Sequence, residues 1–256
     1  IELLSMSAQF GPLRSFLNPI ANNLDKTQEL LKTLANGARL IPAFAGLYEP
    51  TPTLLLFLNN NELRPGGGFI GTYGILEMFG GDIFHLDTVD VYALDNAVIN
   101  AVTETAPEPI QKYNATTKWF FRDSNWSPDF AVSSMQAIEL FLEERAYLDE
   151  ESLVPTVDHI EHVIGFTPTF AADLLKIVGS ITIGSQTFTV ENIADALEYQ
   201  VEYGYEQQGI ALSQRKEILA DLVNEMKSRL YRLPSNRWAD VMAVSKKALQ
   251  EKQLLL

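Results

Sequence analysis

The sequence predicts a mixed α/β architecture (α/β or α+β): a central β-sheet flanked by helices, behind an N-terminal helical region. Three observations carry this. Leu54 to Leu58 is an unbroken apolar run, the signature of a strand buried on both faces. Phe69 to Phe79 and Ile83 to Leu94 flank Gly80-Gly81-Asp82, a hairpin signal. Beyond residue 127, helical stripes alternate with short strand-like segments, and such mixing is the mark of a layered sheet-and-helix fold.

In chain order, Ile20, Leu24, Thr27, Leu31 and Leu34 recur at spacings of three and four, an amphipathic stripe ended by Asn36-Gly37 and Pro42. Residues 1–48 therefore read as a helical stalk or packing region. Residues 49–256 read as the α/β domain, entered through Glu49-Pro50-Thr51-Pro52. Asn96 to Trp119 has no clear period and carries Pro107 and Pro109, so it reads as a long irregular excursion. Ser127-Pro128 looks like a helix cap followed by proline at the first helical position, with Val132, Met135, Ile138 and Leu142 as the apolar face. A strand is expected within Pro155 to Ile164, a helix from Thr167-Pro168 to Gly179, and a hairpin around Gly184-Ser185. Val190 to Val201 and Ser213 to Leu230 supply two further helical stripes. The non-methionine start and the terminal Leu254 to Leu256, which resembles an interrupted strand, suggest a piece of a longer protein, with its C-terminus cut.

The chain has 256 residues and 46% apolar composition, enough for a sizeable core. Its 33 acidic against 19 basic residues argue against a nucleic-acid binder, which needs a basic face to replace counterions. The same imbalance means that an anionic ligand must be held by a local basic pocket. With no cysteine there are no disulfides and no thiolate metal sites. Absence of cysteine suits a bacterial extracytoplasmic protein. No apolar run approaches the ~20 residues that span a bilayer.

The densest chemistry lies in residues 59 to 74, where Arg64 and Pro65 precede Gly66-Gly67-Gly68. Glycine lets a ligand approach the main chain, and free N–H groups beside a guanidinium suit an anion. The competing reading is a strand-to-strand turn locked by an arginine salt bridge. The loop is neither a Walker loop nor a dinucleotide fingerprint. Arg122, Asp123 and Asn125 precede a helix start, an anion or metal-water position or else a capping cluster. Asp90 and Tyr92 alternate with Val91 and so share one face of the expected strand. His85, His159 and His162 are too scattered for a zinc motif, and Trp119, Trp126 and Trp238 line either a sugar or lipid site or the core.

Glu62-Leu63-Arg64-Pro65-Gly66-Gly67-Gly68-Phe69-Ile70-Gly71-Thr72-Tyr73-Gly74 resembles the hallmark of the bacterial DUF4012 family, departing only at Gly66, where the family has a hydroxyl residue. Asp90-Val91-Tyr92 and the run from Arg122 to Phe130 extend the resemblance over about Leu54 to Leu256. Members carry a membrane anchor and helical stalk, which implies an envelope protein on the extracytoplasmic face of a bacterial membrane, tethered by a segment absent from this chain.

More distantly, the order of parts is similar to the LytR-CpsA-Psr phosphotransferases, which move a glycopolymer phosphate from a polyprenyl pyrophosphate carrier to a cell-wall acceptor. That resemblance assigns Arg64 and Asp90 to catalysis and Asp90 to magnesium. It places Arg64, Tyr92, Gln214 and Arg215 around a polyprenyl-linked glycan or other anionic envelope ligand, and Gly66, Gly67, Gly68, Arg122, Asp123 and Asn125, read above as anion positions, complete the expected ligand-binding set. Val89 stands where those enzymes have an arginine, and Arg64-Pro65-Gly66 replaces their Arg-Ser-Asp. Two expectations follow: a pyrophosphate-binding transferase, or a non-catalytic binding or scaffolding domain with the same fold.

Overall fold

A computed structural model describes residues 28, 42, 44–114, 116–149, 152, 154–202 and 212–256; the side chains of 198–202, 212–217 and 219–220 fall outside that description. The expected stripe from Ile20 to Leu34 lies outside the described residues.

The central sheet has five strands: β1 (Thr51–Asn59), β2 (Phe69–Phe79), β3 (Asp82–Asp90), β4 (His162–Phe166) and β7 (Leu254–Leu255). Their spatial order is β3-β2-β1-β4-β7, parallel only between β1 and β4. The apolar run of β1 is explained by its central place, paired on both sides, with Leu54 and Leu56 fully buried. Gly80 (φ 61°) and Gly81 (φ 85°) make the β2–β3 turn, where positive φ at both centres matches strand twist.

Helices flank the sheet: α1 (Val91–Asp95), α2 (Glu108–Tyr113), α3 (Phe130–Arg145), α4 (Pro168–Val178), α5 (Ile193–Glu202), α6 (Leu212–Tyr231) and α7 (Trp238–Gln250). Ala137, Leu140 and Phe141 of α3 and Val91 and Leu94 of α1 form the main core with Leu54, Leu56, Leu58, Tyr73 and Ile75 of the sheet. A second core joins Leu175, Ile181, Phe188, Ile193 and Leu222, gathering α4, the β5 (Ile181–Ile183)–β6 (Gln186–Phe188) hairpin, α5 and α6.

Four expectations need correction. The third strand stops at Asp90 instead of running to Leu94, because Asp90 Oδ1 accepts the Tyr92 N–H (2.8 Å) and caps α1. Tyr92 is therefore helical and does not share a strand face with Asp90. Helix α3 starts two residues after Pro128, since Asp129 is its cap (Ala131 N–H to Oδ1, 3.0 Å) and Ser127 Oγ accepts from Asp129 N–H. The excursion between Asn96 and Trp119 contains α2, which Pro107 introduces, and a bridge between Thr105 and Lys118. The fourth strand is His162–Phe166, its register set by parallel pairing to Thr53 through Phe57. Helix α7 was not foreseen.

Candidate functional site

At the carboxyl end of β1 the chain turns through Asn60 to Gly68 before entering β2, and this loop packs on the segment Phe121 to Asn125. Its backbone is internally committed. Gly66 N–H donates to Asn125 O (3.0 Å), Gly67 N–H to Arg64 O (3.0 Å) and Phe69 N–H to Glu62 O (2.9 Å). Asn125 Nδ2 returns a bond to Gly68 O (2.6 Å), so one asparagine grips the loop from both sides. Close approach explains two of the glycines: a Cβ on Gly66 would stand 2.6 Å from Asn125 O, and one on Gly68 would stand 2.3 Å from Asn59 O. Gly67 has φ 117°, a conformation that side chains disfavour.

The charges form a relay. Arg64 donates through Nη2 to Glu62 Oε1 (2.9 Å) and through Nε to Asp123 Oδ1 (3.3 Å), with Nη1 on Leu63 O (3.2 Å). Asp123 Oδ2 faces Arg122 Nε at 3.6 Å, and Arg122 Nη1 donates to Asp95 Oδ2 at 2.8 Å. Two guanidiniums thus meet three carboxylates, Glu62, Asp123 and Asp95. Aromatic rings complete the packing: Arg64 lies 5.2 Å over Phe69, while Arg122 lies between Phe120 (4.5 Å) and Tyr92 (5.6 Å). Phe69 and Tyr92 stand 6.2 Å apart, which joins the two halves.

Beneath the relay, Asp95 and Glu144 are almost fully buried, and Glu144 Oε1 accepts the Phe121 N–H at 2.7 Å. Burial raises both carboxyls above their ordinary values, Glu144 to about 9. Arg122, facing Asp95, pulls its carboxyl back down, so the rise is smaller there than at Glu144. Tyr73, packed edge-on against Phe121 and Phe141, is raised well above its usual value by burial.

Of the expected site residues, Arg64, Gly66, Gly67, Gly68, Tyr92, Arg122, Asp123 and Asn125 lie in or against this cluster, with Asp90 at its edge as the cap of α1. Gln214 and Arg215 fall on α6, but their side chains lie outside the described residues. Among the described residues no three histidine, aspartate or glutamate side chains could hold a metal ion. The magnesium expected at Asp90 rests on a carboxylate whose Oδ1 accepts the Tyr92 N–H.

Glu62, Asp95 and Glu144 were missed. Glu144 follows Ala137, Leu140 and Phe141 on the buried stripe of α3, whereas the face expected from the sequence leaves Val132 and Met135 exposed, and that choice of face hid the carboxylate.

The model of the family described as "Protein of unknown function (DUF4012)" matches residues 49–202, more than half of the chain. The chain belongs to the DUF4012 family. Neither curated proteins nor solved structures gave a match. The matched stretch of this DUF4012 member holds β1 to β4, the glycine loop, both arginines of the relay and the buried acids.

Proposed function

We propose that this DUF4012 domain is an extracytoplasmic, non-catalytic binding or scaffolding module of the bacterial envelope, with a fold related to the LytR-CpsA-Psr phosphotransferases. One observation carries the reading: Asp123 neutralises Arg64 and Arg122 together, with Glu62 and Asp95 as their outer partners. A transferase needs those cations turned toward the leaving phosphate. Here a polyanionic head group must compete with carboxylates already in place. Val89, at the position of the enzymes' arginine, is 2% exposed in the core and supplies no charge. Tethering would come from a membrane segment outside this chain, and the ligand would be a polyprenyl-pyrophosphate-like or other anionic envelope group meeting the rim of Arg64 and Arg122.

A second reading, phosphotransferase of the same lineage, draws on Arg64 following β1, Asp90 ending β3 and Tyr92 just beyond it around one cluster. Calorimetry with farnesyl pyrophosphate, with and without magnesium, followed by a turnover assay with a glycan acceptor, separates the two. The module reading expects weak binding without turnover, reduced about tenfold or more in Arg64→Ala, since a charge-assisted contact contributes ~1.5–3 kcal/mol. Turnover that Asp90→Asn slows while binding persists would establish the transferase, because asparagine still caps α1. No binding by the parent domain would remove the anion ligand and leave the scaffold.

A further inference from the structure

The buried acids under the relay have a proton deficit. Asp95 Oδ2 accepts from Arg122 and Glu144 Oε1 accepts from Phe121 N–H, yet Asp95 Oδ1, Glu144 Oε2 and the Tyr73 hydroxyl have no hydrogen-bond partner among the described residues. Asp95 and Tyr73 are 0% exposed and Glu144 1%, so bulk water does not supply the missing bonds. Three orphaned polar atoms in one core each forgo the bonds that water would give them, and two ionised carboxylates side by side add repulsion. The two acids take adjacent residues of one turn, Glu144 the Phe121 N–H and Asp95 the Arg122 guanidinium. A single proton on Glu144 Oε2, donated to Asp95 Oδ1, satisfies both orphaned oxygens at once.

We propose that Asp95 and Glu144 hold one proton between them, and that this proton latches the Phe121–Asp123 turn, and with it Arg122 and Asp123, beneath the glycine loop. The inference does not depend on the ligand reading above. Glu144 is the neutral acid: it accepts only a backbone N–H, whereas Asp95 faces the Arg122 guanidinium. The surrounding charges agree. Asp123 and Asp90 add negative potential from the turn and the end of β3. Arg145 on α3 is held away by Pro155 O, Leu148 O and Thr156 Oγ1. Arg122 is the cation in direct contact, through Asp95 alone.

Deprotonation turns the latch into two buried anions sharing one guanidinium. Because both carboxyls are raised in the folded state, the folded chain keeps protons that the unfolded chain has shed, Glu144's up to about pH 9, with Asp95's adding below about pH 7. The stabilisation is complete below the ordinary carboxyl range and falls as pH rises from there through those values. Trp119 reports the turn locally, since its Nε1–H donates to Asp123 O at 3.0 Å.

The test is thermal unfolding and tryptophan emission of this chain from pH 6 to pH 10, beside Glu144→Gln. Glutamine keeps an acceptor for Phe121 N–H and a permanent donor for Asp95 Oδ1. The expected result is a melting temperature and an emission spectrum that change with rising pH in the parent, with at least half of each change lost in the variant. Equal pH dependence in the two proteins would overturn the latch. Should the variant fail to fold, infrared difference spectra of the parent decide. A protonated-carboxyl C=O band at pH 7 that disappears at pH 10 supports the shared proton, and its absence at pH 7 refutes it.

Discussion

Replacing Asp123 by alanine isolates the residue on which the relay turns. Its carboxylate is 3% exposed and receives Arg64 Nε at 3.3 Å, Asn114 Nδ2 at 3.4 Å and Arg122 Nε at 3.6 Å. All three contacts are long, so each contributes at the low end of its range. The two arginine side chains are only 17% and 19% exposed, however, so water screens them little. Breaking a buried pair costs about 3–5 kcal/mol, and long geometry puts Asp123→Ala near ~3 kcal/mol. With a urea m-value of about 3 kcal/mol/M for a chain of this size, the unfolding midpoint should drop by about 1 M. Glu62→Ala is the control: its side chain is 45% exposed, and its loss should stay below about 1 kcal/mol. The Asp123→Ala loss should also persist in about 0.5 M salt, where surface pairs are screened. A midpoint within about 0.2 M of the parent, or an equal loss from Glu62→Ala, would refute the claim that Asp123 organises the arginines.

Gly67→Val should lower the melting temperature without any ligand. Its φ is 117°, and its Cβ would press Leu58 Cδ1 at 3.3 Å, together costing more than ~1 kcal/mol; an unchanged melt would mean the loop tolerates the side chain. Val89→Arg, which puts arginine where the proposed phosphotransferase relatives carry one, should abolish soluble folded protein instead of conferring activity. Val89 lies in the core opposite Tyr73, and an unpaired guanidinium there costs several kcal/mol. A folded, transfer-active Val89→Arg protein would overturn the non-catalytic reading.

The sheet was legible where one local rule acts alone. Leu54 to Leu58 has no polar face, and only a strand paired on both sides uses such a run. Gly80-Gly81 had no plausible role but a tight turn. Rules in competition were harder. Asp90-Val91-Tyr92 alternates like a strand, yet aspartate also caps helices, and the choice depends on α1 packing Val91 and Leu94 into the core. Helix α7 was hidden because, of its thirteen residues, Val241 and Ala248 alone are buried, too thin a stripe to stand out. In the site, Arg64 was visible from its motif. Its partner Asp123 lies 59 positions away, and no spacing rule joins them. The Gly66 N–H is committed to Asn125, far along the chain, so sequence alone left ligand and lock both open.

The parallel pairing of β1 with β4 carries a consequence for how the chain is made. Thr53 pairs with His162, roughly a hundred residues later, whereas β1, β2 and β3 join through successive neighbours. During synthesis the three-stranded meander emerges first. The far edge of β1 then waits for His162–Phe166, about 4–15 s at ~5–20 residues per second. Over that interval Leu54 to Leu58, the most apolar strand, presents an unpaired edge, a template for another nascent chain. Substitutions that slow or weaken β4, including any side chain at Gly165, whose Cβ would meet Leu58 at 3.1 Å and the Phe130 ring at 3.2 Å, should therefore lower soluble yield more than they lower the melting temperature of the molecules that do fold.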